Sequence, residues 1–382
     1  MIQERPTSSA EAAEVMRACR SEGSRLRVVG GQTKLGWGHV TSEPDVEIST
    51  ERMGRVLEHN AGDLTAVVQA GVSLKHAQEV FAEAGQMLAL DPPLGHDDSA
   101  TIGGIVATAD TGPLRHRYGA PRDLIVGVTV ALSDGTLARS GGKVIKNVAG
   151  YDLAKLFSGS FGTLGMLTEL SLRLHPRPEK TATAALDCDG PESLQRASSA
   201  LAHFPLEAMS LDIVWGGDGG RVMARLGGAA PEPRAEAAVG LMKEFGAARV
   251  IEDDAEVWEG LRSRQRSEDG AIVRVAGLPS ELARISRTVD GIGGSVVGRG
   301  ALGVLWAELQ GDDPQDLVGR IEELRHDLDP LRCVVLDAGR GVREKIDVWG
   351  GNQDSSVELM RRIKARFDPK GLCNPGVFVA GI

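Results

Sequence analysis

A glycine-rich stretch from Ile102 to Gly165 constrains this chain more than any other feature of the sequence. Its centre consists of the segments Lys146–Leu153 (KNVAGYDL) and Ser158–Gly165 (SGSFGTLG), and its glycines fall at irregular intervals between short apolar runs. Glycine allows a backbone to adopt left-handed conformations and to come close to another surface. The stretch therefore fits a backbone that approaches a large flat ligand, and it fits a turn-rich β domain equally well.

Length and charge narrow the classes of protein that remain. The chain has 382 residues, of which 42% are hydrophobic, and this is enough for two domains with a core in each. The formal net charge is -10, and no block of like charge stands out. A nucleic acid or an anionic membrane is therefore not expected as a partner.

The cysteines and the apolar runs bound the compartment and the cofactors. The four cysteines lie far apart without a CxxC pair, so we expect neither a disulfide framework nor a metal or iron–sulfur site. No apolar run approaches the roughly 18 residues that a membrane-spanning helix needs. We expect a cytoplasmic protein, peripheral to the inner membrane only through partner subunits.

A polar loop with four glycines follows the first predicted strand. The strand is Leu26–Val29, and the loop Gly30–Gly38 (GGQTKLGWG) leaves consecutive backbone N–H groups available to an anion such as phosphate. The spacing matches neither the GxGxxG nor the GxxxxGK[ST] motif. Taken alone, the loop also fits an ordinary surface turn.

A second glycine pair opens a predicted helix. Ser99–Ala109 has the pattern of a capped helix start, and Gly103 and Gly104 in its first turn are costly unless something packs against the bare backbone. That partner is either a flavin or pyrophosphate, or simply another strand or helix.

The second half of the chain predicts a different architecture. Two prolines within His175–Glu179 mark a linker, after which the order strand, helix, strand, strand, helix, strand occurs twice. This order predicts a ferredoxin-like pair in one antiparallel sheet with helices on one face. We therefore predict an α+β protein with domains at 1–178 and 179–350, and a segment 351–382 that returns to the first domain.

Taken together, several short motifs resemble the PCMH-type FAD-binding fold of the vanillyl-alcohol oxidase superfamily. Within that superfamily, the chain is similar to the FAD-binding subunits of bacterial glycolate oxidases, particularly at Val148–Phe157 and Ser160–Gly165 and at the closing Asn374–Phe378. The motifs that carry the resemblance occur in the family's order, at 29–34, 65–71, 100–104, 117–119, 146–152, 162–165 and 368–376.

The resemblance implies a site for FAD. It puts the backbone of the first loop on the pyrophosphate with the helix start beside it, three residues near the isoalloxazine, and a later loop along the adenosine part. One residue of the returning tail approaches the cofactor as well. In that order, the implied residues are Gly30, Gly31, Gln32, Thr33 and Lys34; Thr101, Ile102, Gly103 and Gly104; Gly112, Tyr118 and Gly119; Gly162, Thr163, Leu164 and Gly165; and Asn374. Relatives that bind flavin covalently commonly use a histidine in the first loop, where this chain has Gln32 and Thr33. We therefore expect non-covalent FAD.

The chain departs from related 2-hydroxyacid dehydrogenases in its second domain. Those proteins carry an HxGDGNxH segment, which is absent here, and the only histidines in the predicted cap are His203 and His326. Oxidation of a hydroxyacid needs a base for the hydroxyl proton and a cationic or metal anchor for the carboxylate. The candidates for these two roles are Arg115, His116, Arg117 and Trp349, each of which also fits a structural or solvated position, so the catalytic residues stay unassigned.

Three functions remain open at this point. The first is an FAD-binding subunit of a glycolate oxidase complex, with a catalytic hydroxyacid-dehydrogenase flavoprotein subunit and an iron–sulfur subunit as partners. The second is a stand-alone FAD-dependent oxidase or dehydrogenase of another alcohol or 2-hydroxyacid. The third is an assembly subunit whose flavin site is vestigial.

Overall fold

The computed structural model describes residues 1–142, 153–217, 219–351 and 355–382. The motif Lys146–Asp152 therefore lies outside the described residues. The chain divides into two compact units, the first comprising Met1–Thr111, Gly119–Arg177 and Gly351–Ile382, and the second comprising Gly112–Tyr118 and Pro178–Gly350.

Both units contain strands and helices. The strands are β1 (Ile2–Glu4), β2 (Leu26–Val29), β3 (Val46–Ser49), β4 (Val56–Asn60), β5 (Thr65–Gln69), β6 (Gln86–Met87), β7 (Ile125–Ala131), β8 (Leu137–Gly141), β9 (Met166–Arg173), β10 (His175–Pro176), β11 (Lys180–Cys188), β12 (Ser210–Gly216), β13 (Gly219–Gly228), β14 (Ala248–Ile251), β15 (Gly270–Ala276), β16 (Ser295–Arg299), β17 (Val304–Gln310) and β18 (Arg332–Ala338). The helices are α1 (Ser9–Glu22), α2 (Leu74–Ala82), α3 (Ile102–Thr108), α4 (Arg115–Tyr118), α5 (Pro121–Leu124), α6 (Ala154–Phe157), α7 (Pro191–His203), α8 (Glu232–Met242), α9 (Ala255–Ser263), α10 (Leu282–Gly291), α11 (Pro314–Asp327), α12 (Arg340–Arg343) and α13 (Ser355–Phe367). In the described part of the chain, no helix combines the length and apolar character that a bilayer crossing requires.

The first unit is built on two main sheets. A parallel sheet has the order β1-β3-β2, and an antiparallel sheet has the order β4-β5-β9-β7-β8. Helix α1 turns its buried face, including Ala12 and Met16, to a core shared with Ile48 of β3 and Met166 of β9. The predicted linker begins later than expected, because β10 pairs with β6 inside this unit.

The second unit confirms the predicted double βαββαβ order. Its strands form one antiparallel sheet in the order β14-β11-β13-β12-β16-β17-β15-β18, and the two halves meet where β12 pairs with β16. Helices α7, α8, α10 and α11 all contribute to one core with alternate strand residues such as Leu211 and Ile213. Successive side chains of a strand point to opposite faces, so Asp212 between them lies on the other face of the sheet.

The sequence predicted helices on one face of this sheet, but the opposite face is covered as well. Helix α9 lies on it, because Trp258 Nε1 donates to Thr183 Oγ1 at 2.8 Å, and Thr183 alternates with the core residues of β11. Asp254 precedes α9 and accepts two hydrogen bonds from Arg225 at 2.8 and 3.1 Å. Thr183 Oγ1 also donates to Asp254, at 2.7 Å. The polar groups that the sheet buries here are therefore hydrogen-bonded to one another.

Residues 112–118 depart from the predicted boundaries, because they belong to the second unit although the flanking chain belongs to the first. Two arginines explain the assignment. Arg299 Nε donates to the Gly112 carbonyl at 3.1 Å, and Arg117 donates to the Glu207 carbonyl at 2.6 Å. Both ends of the segment are therefore hydrogen-bonded to residues of the second unit.

Replacing Asp254 with alanine should destabilise the protein by about 3 to 5 kcal/mol, because Arg225 would keep a largely buried charge without its partner. Urea unfolding of Asp254→Ala measures the effect. Asp253→Ala is the matched control, since Asp253 is exposed and its loss should change the free energy of unfolding by less than about 0.5 kcal/mol. Equal midpoints for the two variants would contradict the role given to Asp254.

Candidate cofactor site

The loop after β2 presents unused backbone donors. Within the described residues, the backbone N–H groups of Gly31, Gln32 and Thr33 donate no hydrogen bond. Gln32 has a φ of 57°, a left-handed conformation that turns successive amides toward one side. The loop therefore has the donors that a phosphate-binding nest requires.

Close packing against the segment 99–101 holds this loop in place. A methyl group on Gly30 would overlap the Thr101 side chain, and one on Gly31 would overlap the Ser99 carbonyl. Ser99 Oγ also donates to the Gly31 carbonyl at 3.1 Å. The two glycines are thus required by the protein's own packing, which holds in place the loop that carries the unused donors.

The charge of the loop is compensated inside the protein. Lys34 Nζ lies 3.3 Å from Asp110 Oδ2, and the two side chains are only 7% and 1% exposed. Asp110 Oδ1 also accepts from the amide of Thr111 at 2.9 Å. Because the ammonium of Lys34 is paired, the residues at hand favour an anion held by backbone amides, as the resemblance implied.

The first turn of α3 plays a different part from the loop. The amides of Ile102, Gly103 and Gly104 donate to the Val72 carbonyl, the Ala70 carbonyl and Thr101 Oγ1 at 2.9, 2.8 and 3.2 Å. These donors are already used. The predicted residues Thr101–Gly104 can therefore lie beside a cofactor and pack against it, but the amides of Ile102, Gly103 and Gly104 are not available to bind it.

The two glycines of α3 face different surroundings. A methyl group on Gly103 would lie 2.6 Å from the Ala70 carbonyl oxygen, whereas one on Gly104 would meet only Thr101 Oγ1, at 3.1 Å. The sequence left open whether this glycine pair packs against a cofactor or against another part of the protein, and the two glycines differ in this respect. Gly103 serves close packing against the β5 end of the first unit, whereas Thr101 Oγ1 is the only described atom within 4 Å of a methyl group placed on Gly104.

The other end of α3 fixes the loop 159–165. The amides of Gly159 and Phe161 donate to the Val106 and Ala107 carbonyls at 3.0 and 2.8 Å. Phe161 and Gly162 are both left-handed, with φ of 54° and 71°. Such strain in a residue other than glycine concentrates at ligand sites. The side chains of Thr163 and Leu164 are buried, so this loop also offers mainly its backbone.

The glycine at the end of this loop has a structural explanation. Gly165 has a φ of 144°, and a methyl group there would lie 2.9 Å from the Ala131 carbonyl oxygen of β7. Packing against β7 therefore accounts for Gly165.

The C-terminal tail fastens the same loop. Asn374 Nδ2 donates to the Phe161 carbonyl at 2.7 Å. The backbone N–H of Asn374 donates to the Leu26 carbonyl of β2 at 2.9 Å. Lys364 Nζ donates to the carbonyls of Thr163 and Cys373 at 2.7 and 2.8 Å. The tail therefore joins the strand before the first loop to the loop 159–165.

Lys364 and Asp368 form the buried centre of this fastening. Lys364 Nζ lies 2.7 Å from Asp368 Oδ2, which also accepts from the Cys373 amide at 2.7 Å. Burial acts to raise the pKa of Asp368, but the hydrogen bonds from Lys364 and Cys373 outweigh it and hold the pKa below its usual value. Asp368 is therefore ionised at neutral pH. Sequence reasoning missed Lys364, whose helical position resembles any solvated lysine.

The residues expected near the isoalloxazine divide between the units. Gly112 and Tyr118 belong to the second unit and Gly119 to the first. Between them, His116 is largely buried, and its Nδ1 has no hydrogen-bond partner among the described residues. Burial lowers the pKa of His116 and raises that of Tyr118, so both side chains are neutral at pH 7.

The two glycines of α3 should respond differently to substitution. Gly103→Ala should lower the free energy of unfolding of the FAD-free chain by about 1 to 3 kcal/mol, because the methyl group overlaps backbone that cannot move aside easily. Gly104→Leu should leave that stability unchanged or slightly raised and should abolish retention of FAD. Thermal unfolding and the flavin absorbance of the purified variants test both. A yellow Gly104→Leu protein would contradict the open surface assigned to this residue.

Loss of the Lys364 contacts should weaken FAD binding. In Lys364→Met, three acceptors lose a donor and the loop 159–165 loses an anchor, so we expect the FAD dissociation constant to rise about tenfold or more. Fluorescence titration of FAD measures it. Lys370→Met is the control, because Lys370 lies on the same tail but, in the described part of the chain, its side chain donates only to the Arg20 carbonyl. Equal affinities in the two variants would refute the fastening role.

Comparison with known proteins agrees with this geometry. Residues 4–141 match the family described as FAD binding domain, and residues 340–378 match the C-terminal domain of FAD linked oxidases. The chain is 28% identical over 361 residues to glycolate oxidase subunit GlcE of Escherichia coli (strain K12), which covers 93% of both chains. It is 27% identical over 406 residues to D-lactate dehydrogenase of Archaeoglobus fulgidus, which covers 98% of this chain and 90% of the relative.

A solved structure shares the fold. Compared with p-cresol methylhydroxylase with substrate bound, the TM-score is 0.73 at 15% identity, over 98% of this chain and 88% of that chain. This likeness concerns the fold alone. With its FAD binding domain and its oxidase C-terminal domain, the chain is an FAD-dependent oxidoreductase with the PCMH-type fold.

Proposed function

We propose that this chain is the FAD-binding subunit of a glycolate oxidase complex, which oxidises glycolate to glyoxylate. The observation that carries the proposal is the similarity to a glycolate oxidase subunit along 93% of both chains. The unused amides of Gly31, Gln32 and Thr33 support FAD as a working cofactor rather than a lost one. We propose that the residues given above for the site hold it, without a covalent bond.

The proposed chemistry assigns roles to residues of this chain. When bound, FAD supplies the hydride acceptor. The backbone of the first loop holds the pyrophosphate, and Gly104 allows close approach. For the hydroxyl proton, His116 is the best candidate base, since burial keeps it neutral and Nδ1 has no partner among the described residues. Arg117 is a poor carboxylate anchor, because its guanidinium is bonded to the Glu207 carbonyl. Arg115 and Trp349 keep their place as candidates.

The proposed partners follow from what the chain lacks. All four cysteines are buried, and burial raises the pKa of the Cys188 and Cys333 thiols to about 11. Such thiols are protonated and are poor ligands for iron. Electrons would then leave through an iron–sulfur subunit. A hydroxyacid-dehydrogenase flavoprotein subunit would complete the complex and supply the HxGDGNxH segment that this sequence lacks.

A second candidate function rests on the D-lactate dehydrogenase relative, which the chain matches over 98% of its length. In that case the chain would oxidise another 2-hydroxyacid without partners. The third, an assembly subunit with a vestigial flavin site, would require a protein that cannot take up FAD.

Substrate tests separate these functions. The purified chain should carry oxidised flavin, and under anaerobic conditions glycolate should bleach it only after the partner subunits are added. Bleaching by D-lactate alone would favour the stand-alone dehydrogenase. Gly104→Leu serves as the flavin-free control. A colourless wild-type protein that added FAD does not restore would contradict the proposal and leave only the assembly role.

A further inference from the structure

A second buried arginine cluster lies on the same face of the sheet in the second unit as Arg225 and Asp254. It brings together Arg299 at the end of β16, Asp212 of β12 and Gln265 after α9, all at most 1% exposed. Arg299 also stacks on Trp306, with the guanidinium carbon 4.4 Å from the ring centroid. Four elements of the unit therefore converge on one buried cation.

The two arginine clusters differ in what the arginine binds. Arg225 directs its donors to both oxygens of Asp254. Arg299 lies 3.7 Å from Asp212 Oδ2, and Asp212 Oδ1 accepts no hydrogen bond among the described residues. Arg299 instead donates to the Gly112 carbonyl at 3.1 Å and to Gln265 Oε1 at 3.2 Å. Asp212 thus lies beside the guanidinium, with a pKa that burial raises, while Nε of Arg299 is directed at the Gly112 end of the segment 112–118.

A buried arginine of this kind is a costly way to stabilise a core. A buried ion pair often contributes no more to the stability of the fold than apolar residues of the same volume would. What arginine adds is direction, because its donors are fixed in a plane and can hold two acceptors at set positions. The acceptor that matters here is the backbone carbonyl of Gly112, at the start of the segment 112–118.

We propose that Arg299 is a positioning residue for the segment 112–118, which carries His116 and Tyr118. It holds the Gly112 end, while the bond from Arg117 to the Glu207 carbonyl holds the other end. The helical turn α4 between the two anchors packs on β12. Arg299 thereby sets where the neutral imidazole of His116 stands. The link from this placement to the flavin rests on the proposed function.

The test compares Arg299→Lys with Arg225→Lys. Both variants keep a positive charge and lose the planar fork, and both arginines lie on the same sheet face beside a buried aspartate, although Arg225 is 18% exposed and Arg299 is fully buried. Hydrogen exchange by mass spectrometry is measured on the peptide that covers residues 112–118, in the full chain. We expect exchange at least about tenfold faster in this peptide for Arg299→Lys, and wild-type exchange there for Arg225→Lys.

The flavin supplies a second readout. With FAD bound at equal occupancy, Arg299→Lys should change the visible circular dichroism of the flavin, and Arg225→Lys should not. Gln265→Leu provides a milder variant in case Arg299→Lys does not fold. It removes one acceptor of Arg299, and it should accelerate exchange in the same peptide by about threefold.

The outcomes separate this inference from the proposed function. Unchanged exchange at 112–118 in Arg299→Lys, or equal acceleration in both lysine variants, would overturn the positioning role. The exchange measurement uses neither glycolate nor partner subunits. A chain that proves inactive with glycolate would therefore refute the proposed function and leave the anchoring of this segment intact.

Discussion

Backbone donors that the described part of the protein leaves without an acceptor define the candidate cofactor site. The amides of Gly31, Gln32 and Thr33 donate to nothing among the described residues, although backbone donors in folded proteins are almost always paired. Their arrangement depends on close packing against Ser99 and Thr101, where no side chain larger than hydrogen fits. The site is therefore made by packing that forces donors outward.

Side-chain charges around the site are compensated by other side chains. Lys34 is paired with Asp110, and Lys364 with Asp368. These buried pairs hold loops and tail rather than a ligand. In the proposed site, the doubly charged pyrophosphate of FAD would meet neutral backbone donors, each of which contributes about 1.5 to 3 kcal/mol to a charged acceptor. The C-terminal tail and the segment that contains α3 hold the loops 30–38 and 159–165 in place, although the tail and α3 are far apart in the sequence.

The sequence predicted the fold well where periodicity and order carry the information. The repeated βαββαβ order and the antiparallel sheet of the second unit follow from strands and helices that are each apolar on one side. The motifs likewise predicted the loops of the first unit. The sequence shows Gly103 and Gly104 only as two adjacent glycines, so it could not distinguish their roles. In the structure, Gly103 packs closely against Ala70, whereas a methyl group on Gly104 would meet only Thr101 Oγ1 among the described residues.

Long-range polar contacts account for what the sequence could not predict. Lys364 and Arg299 look like ordinary helix and strand residues, and only the tertiary structure brings them to carbonyls 201 and 187 residues away. The assignment of 112–118 to the second unit has the same origin. No local pattern records a bond between an arginine of β16 and a carbonyl in a glycine-rich segment.

The most direct test of the backbone nest is NMR on protein labelled with ¹⁵N-glycine, recorded before and after FAD is added. The Gly31 amide proton should move downfield as it gains a charged acceptor. The Gly103 amide, already bonded to the Ala70 carbonyl, should move little and serves as the internal reference. An unchanged Gly31 signal in protein that has bound one equivalent of FAD would contradict the account.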